Sequence, residues 1–183
     1  DISCAFYIFS LPDEWLPLFV LDWPLNPKLW GGSGTEPQYL AVSVIPMGWK
    51  NAVGICQNNL RELVMRTTPH GAGLPPHLEM RKDRPLPVDL YHRVLKWHQA
   101  YTDNFDAGSV ERSRNPQHSE VSEWAKAVHR SYENNNVPRA TDKSCLGLGA
   151  TTLGVTIDGE RGNVTIGFEK EIDMLELTTH VLR

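Results

Sequence analysis

Two acidic positions far apart in the chain are the residues best suited to chemistry. Asp1 heads Asp1-Ile2-Ser3-Cys4-Ala5-Phe6, an acid on an apolar run. Asp103 sits in Tyr101-Thr102-Asp103-Asn104-Phe105-Asp106, an aromatic-x-Asp-polar segment placed as the tip of a hairpin would be. Mg²⁺ takes oxygen ligands in near-octahedral geometry, so short carboxylates on stiff strands suit it. Two of them, brought together from distant strands, can hold the divalent ions of a phosphoryl-transfer site. Taken singly, each Asp is more simply a strand-end or turn residue. The pair in this order, with the motif that lies between them, is what points to a metal site.

For Asp1 to meet Asp103, the intervening elements must build a sheet. Residues 2–9 are apolar or small and predict a buried strand, with a turn at Leu11-Pro12-Asp13. Residues 15–23 predict mostly strand, Asn26–Pro37 a Gly/Pro loop, and Tyr39–Ile45 a strand pairing with the previous one. Asn51 predicts a helix N-cap, with Val53, Cys56, Leu60, Leu63 and Val64 as the apolar stripe. A surface loop with five prolines and two glycines follows over 67–87, then a short helix over Val88–Lys96. Trp97–Tyr101 predicts a strand, Thr102–Asn104 a hairpin turn and Phe105–Val110 the return. Ser119 predicts an N-cap, with Glu120 and Glu123 in the positive first turn. Val121, Trp124, Val128 and Tyr132 then line one face of a helix that ends near Asn134-Asn135-Asn136. Leu146–Ile157 predicts a strand, Asp158–Gly162 a turn, Asn163–Phe168 the return strand, and Glu169–Leu182 a final helix. This order implies an α+β fold, a sheet covered on one face by helices.

The 183 residues suffice for one domain with a proper core, and 40% apolar against 22% charged residues reads as globular. No uninterrupted apolar stretch of about 18 residues exists, which argues against a membrane span. Three cysteines share no Cys-x-x-Cys spacing, which fits a reducing, intracellular setting in nucleus or cytoplasm. The chain begins inside a motif without Met or a signal-peptide pattern and is expected to be a fragment. A net charge of −4 is unfavourable for nucleic-acid binding, but the charge is uneven. Residues 1–49 carry one Lys and five acids, whereas residues 50–96 carry eight Lys/Arg against four acids.

Between the two acidic motifs lies Pro46-Met47-Gly48-Trp49-Lys50-Asn51-Ala52. The order Asp-x-x-x-Ala-Phe, Pro-x-Gly-Trp-Lys-Asn-Ala, Tyr-x-Asp-Asn resembles the core of a reverse transcriptase of the retrotransposon type, with Asn104 where the family has a second Asp. The resemblance implies a right-hand polymerase palm, an antiparallel sheet covered by helices, with part of the fingers. It divides the chain into a first palm strand over 1–8, partial fingers over 9–48, palm over 49–157 and a connection to the thumb over 158–183. It implies two Mg²⁺ (or Mn²⁺) ions held by Asp1 and Asp103, and as partners an RNA or DNA template with primer and deoxynucleoside triphosphates.

By the same resemblance Phe6 is the aromatic that excludes a 2′-hydroxyl, though an ordinary packed Phe serves as well. Met47, Gly48 and Trp49 form the turn approached by the incoming nucleotide. Lys143, in Thr141-Asp142-Lys143-Ser144, lies near the leaving pyrophosphate, or else is a solvated surface Lys. Leu153 and Gly154 form the turn that grips the primer end. Asn104, at a catalytic position, removes a negative charge beside the ions, a loss on the order of several kcal/mol of attraction even at an effective dielectric of ~20. Asp106 shares a strand face with Asn104 by period-two alternation, and whether it can substitute depends on the geometry of the hairpin. The expectation is RNA-directed DNA polymerase chemistry that is weak or absent in this chain alone. Two other readings are a catalytically dead domain that binds nucleic acid or protein, and an unrelated Mg²⁺ phosphodiesterase using Asp1, Asp103 and Asp106.

Overall fold

The computed structural model describes residues 2–89, 91, 93, 95–111 and 115–166. The order is β1 (Val20–Leu25), β2 (Gln38–Ala41), α1 (Ala52–Met65), β3 (Lys96–Tyr101), β4 (Asn104–Ser109), α2 (Glu120–Asn134), β5 (Gly149–Thr152), β6 (Val155–Asp158) and β7 (Asn163–Ile166), with short 3-10 turns between. The strands form three antiparallel sheets, β1–β2, β3–β4 and β5–β6–β7. The class is therefore α+β. No helix among the described residues is long and apolar enough to cross a membrane.

The core lies between the β3–β4 hairpin and the two helices. Strand pairing sets His98 opposite Ala107 and Ala100 opposite Phe105, so these four share one face. Against that face pack Leu60 and Val64 of α1 and Trp124, Val128 and Tyr132 of α2. Ser119 caps α2 through its Oγ, which accepts from Ser122 N at 3.1 Å. Ile2, Ala5 and Leu74 complete the cluster. A second cluster of Leu11, Ile45 and Ala52 gathers Phe6, Phe9, Phe19 and Trp49 around the start of α1. The last carbonyls of α1, which have no partner within the helix, are met by the returning loop. Ala72, Leu74 and Gly73 donate to Leu63, Val64 and Arg66 at 2.9, 3.0 and 3.1 Å.

Several sequence expectations need correction. Residues 2–9 are not a strand: Ile2 makes an isolated bridge to Arg139, and Ala5–Ile8 is a 3-10 turn behind Cys4 at φ 53°. A continuous apolar run marks burial without a period, and here the buried backbone curls. Residues 13–19 are also 3-10, so the strand expected over 15–23 begins only at Val20. The stripe of α1 is Ala52, Cys56, Leu60 and Val64, whereas Val53 is 51% exposed. Asn51 holds the cap position but makes no capping bond. No helix occurs at the described positions of 88–96, and Lys96 already belongs to β3; positions 90, 92 and 94 lie outside the described residues. The strand expected over 146–157 is a hairpin, β5–β6, turning at Leu153-Gly154. The final helix over 169–182, and residues 167 and 168 of the return strand, also lie outside the described residues.

The long loop over 67–87 is anchored by a buried carboxylate. Glu79 is 1% exposed, and its oxygens accept from Arg61 Nε and Nη2 at 2.6 and 3.0 Å and from Arg84 Nη2 at 3.0 Å. Arg84 also binds the Glu79 and Pro76 carbonyls. Removing one partner of a buried ionic network leaves the others charged and unpaired. Glu79→Ala should therefore lose about 3 kcal/mol of stability, measured as a shift in urea midpoint at unchanged slope.

His98, fully buried, sits beside this anchor. Its Nε2 lies 2.9 Å from Pro75 O, and its Nδ1 has no hydrogen-bond partner among the described residues. Burial holds its pKa below the usual 6.5; the Pro75 carbonyl and Glu79 oppose this, while Arg84 and His77 add to it. The unfolded chain thus binds the proton more readily than the folded one. Stability from this ring is full above pH 6.5 and is lost progressively as the pH falls below that value. His98→Gln should reduce the slope of stability against pH below 6.5, read by denaturation at a series of pH values.

Candidate functional site

Asp103 stands at the tip of the β3–β4 hairpin, in the two-residue turn Thr102-Asp103. Thr102 holds φ at 54°, a left-handed conformation that is an outlier for a β-branched residue. Strain of this sort costs about 1–3 kcal/mol and persists only where the surroundings impose it. The two-residue turn calls for a positive φ at its first position, and the group that holds the turn there is Gln57 of α1. Its Oε1 accepts from Thr102 N at 2.8 Å, and its Nε2 donates to Ala100 O. One side-chain amide thereby seizes the hairpin on both sides of Tyr101.

The N-terminal segment closes on the same tip. Ile2 N donates to Asp103 O at 2.8 Å, and Ser3 N to Pro138 O at 2.9 Å. With the Ile2–Arg139 bridge, this short segment lies between the hairpin tip and the chain following α2. Asp1 itself lies outside the described residues. Beneath the tip, Cys56 of α1 and Tyr132 of α2 both sense Asp103. Burial first and the Asp103 charge second push both pKa values upward, so thiol and phenol stay protonated at neutral pH. The buried Tyr132 hydroxyl has no hydrogen-bond partner among the described residues.

On the outer face, Asn104 Nδ2 donates to Asp103 Oδ1 at 3.2 Å. Asn104 and Asp106 do share that face. Asp106 is already engaged, however: Thr152 Oγ1 donates to its Oδ2 at 2.8 Å, tying β5 to β4. Among the described residues the tip therefore offers the Asp103 carboxylate, with the Asn104 amide donating to one of its oxygens, and the Asp106 carboxylate, held by a hydroxyl; Asp1, the other expected ligand, lies outside the described residues. No group of three or more His, Cys, Asp or Glu among the described residues is placed to hold a metal.

The other candidates fall into two places. Pro46–Trp49 is a turn closed by Trp49 N to Pro46 O at 3.1 Å, with Gly48 at φ 92°. A positive φ at the third position of such a turn requires Gly. Met47 is 68% exposed there, while Trp49 packs edge-on to Trp15 and Phe19 with ring centroids 5.9 and 5.3 Å apart. Phe6 joins that same apolar cluster, so Phe6 and Trp49 come together. Leu153 and Gly154 take φ of 50° and 78° as the loop of the β5–β6 hairpin, where both residues must be left-handed. Lys143 ends an exposed 3-10 turn, Thr141–Lys143. Two surface cavities of ≈ 380 and ≈ 240 Å³ contain none of these residues.

Gln57, Thr152 and Glu79 do structural work that sequence patterning did not single out. Gln57 adjoins the buried Cys56, and no motif marks it. Glu79 carried a signal, as the first of two acids among Arg81, Lys82 and Arg84 in a Pro-rich loop.

Comparison with family models, curated proteins and solved structures returns no match to this chain.

Gln57→Leu should leave Ala100 O and Thr102 N unsatisfied, costing about 2 kcal/mol and speeding hydrogen exchange at the Thr102 amide. Gln57→Glu keeps an acceptor for Thr102 N, so that amide should stay slow. Equal acceleration in both variants would contradict the clamp.

Proposed function

We propose that this chain is a reverse-transcriptase-like palm with part of the fingers, whose template-directed nucleotidyl transfer is weak or absent as the sequence stands. The observation that carries the reading is the Ile2 N–H bond to Asp103 O. It sets the residue after the first acidic position beside the turn that holds the second, as the motif order requires. Three further features support it. The hairpin rests on two helices with the order α1–β3–β4–α2. Phe6 and Trp49, from the first and second motifs, share one cluster. The Leu153-Gly154 turn belongs to a hairpin tied back to β4 through Thr152 and Asp106.

In such a site, bound divalent ions would activate a primer hydroxyl and stabilise the leaving pyrophosphate. The chain's own groups have other duties. Gln57 fixes the Asp103 turn, and Gly48 lets the Pro46–Trp49 turn form. Phe6, packed against the Leu11, Ile45 and Ala52 cluster, would by the resemblance discriminate the sugar edge. Asn104 contributes a neutral donor where a second acceptor would attract a cation, and this accounts for the expected weakness.

The test is calorimetric titration of Mg²⁺ and Mn²⁺ into wild type, Asp103→Ala and Asn104→Asp, each with primer-template and a deoxynucleotide, alongside primer extension. Asn104→Asp should bind metal at least about tenfold tighter, equivalent to about 1.4 kcal/mol, and gain measurable extension. Asp103→Ala should lose the metal response. Unchanged metal binding in Asp103→Ala, or no response in any of the three, would overturn the proposal.

A further inference from the structure

The β5–β6–β7 meander is sharply two-faced. Pairing sets Ala150 opposite Ile157, Val155 opposite Ile166 and Ile157 opposite Val164. Directly opposed residues share a face, so these five apolar side chains gather on one side. The reverse side is polar, with the Thr151 and Thr156 hydroxyls 3.0 Å apart. Thr152 belongs to the apolar side, and its bond to Asp106 ties the β5 margin to the hairpin. Toward β7 the apolar side opens to solvent: Val164 is 68% exposed and Ile166 37%. A small sheet gains stability by burying its hydrophobic face against another layer.

The sequence that follows supplies a layer of the right kind. Gly167 alone separates Ile166 from a stretch in which Phe168, Ile172, Leu175 and Leu182 recur at helical spacing as one stripe, with Glu169, Asp173 and Glu176 off it on one side and the apolar Met174, Leu177 and Val181 off it on another. As a helix, 15 residues would span ~22 Å, against ~13 Å for a four-residue strand. The length is enough to cross the sheet. We propose that the apolar side of β5–β6–β7 is the docking surface for residues 168–182 of the same chain. A one-residue tether gives that segment a local concentration on the order of millimolar, so a second copy of the chain competes poorly for the surface.

The test places a photo-crosslinking benzoylphenylalanine at Val164 or, as a control on the polar side, at Thr165, in the full chain. Products are mapped by mass spectrometry. The Val164 probe should crosslink within its own chain to residues 168–182, and the Thr165 probe should not. Adding Ile172→Glu with Leu175→Glu should cut the Val164 crosslink at least about tenfold, as expected for loss of an apolar contact. A crosslinked dimer, a crosslink elsewhere in the chain, equal yield from Thr165, or no crosslink at all would each overturn the proposal.

Discussion

A two-stranded antiparallel hairpin is marginal in water, so β3–β4 holds its tip in place only because α1 and α2 press on one face and Gln57 grips the turn. The apolar contribution is spread over Leu60, Val64, Val128 and Tyr132, and such burial is non-directional. It fixes how deep the hairpin sits and leaves its register along the helices to other forces. The Gln57 amide supplies that register, because a donor and an acceptor on one rigid group must meet Ala100 O and Thr102 N together. The left-handed Thr102 is then the strained residue that this grip sustains.

The same division between apolar bulk and polar register recurs elsewhere. Ser131 Oγ lies 2.9 Å from Leu63 O and 2.8 Å from His70 O, pinning the end of α2 to the end of α1 and to the loop beyond it. Glu79, with Arg61 and Arg84, fixes that loop to the outer side of α1. Thr152 and Asp106 do the same for the C-terminal meander. Each polar contact joins segments distant in sequence, and each satisfies groups that would be costly to leave unpaired.

What the sequence disclosed follows from this. α2 was legible because a Ser119 cap, two acids in the first turn and a repeating Trp124–Val128–Tyr132 face all agree. The β3–β4 hairpin was legible through its short strands and polar tip. Residues 2–9 were not, since an unbroken apolar run looks alike in a strand and in a buried 3-10 turn. The stripe of α1 was legible at Cys56, Leu60, Leu63 and Val64 and missed only its first position, where Ala52, small and weakly apolar, is buried in place of the larger Val53. Periodicity ran one strand through the β5–β6 turn because Leu153 takes a left-handed conformation more usual for Asn or Gly, whereas the resemblance placed a turn at Leu153-Gly154. At the candidate site, Asp103 and Asn104 could be placed from the motif. The commitment of Asp106 to Thr152 could not, because a tertiary hydrogen bond leaves no periodic trace.

The N-terminal segment has its own consequence for how the domain is assembled. The partners of Ile2 and Ser3 are Asp103, Pro138 and Arg139, all far downstream. During synthesis from the ribosome, the helices and the hairpin can form among themselves while Ile2 and Ser3 wait. Closing a loop of that length carries an entropy cost that grows slowly with its size, and it is repaid only once the chain beyond α2 has emerged. The Ile2–Ser3 segment is thus a clasp that can close only after chain far downstream of it has been made.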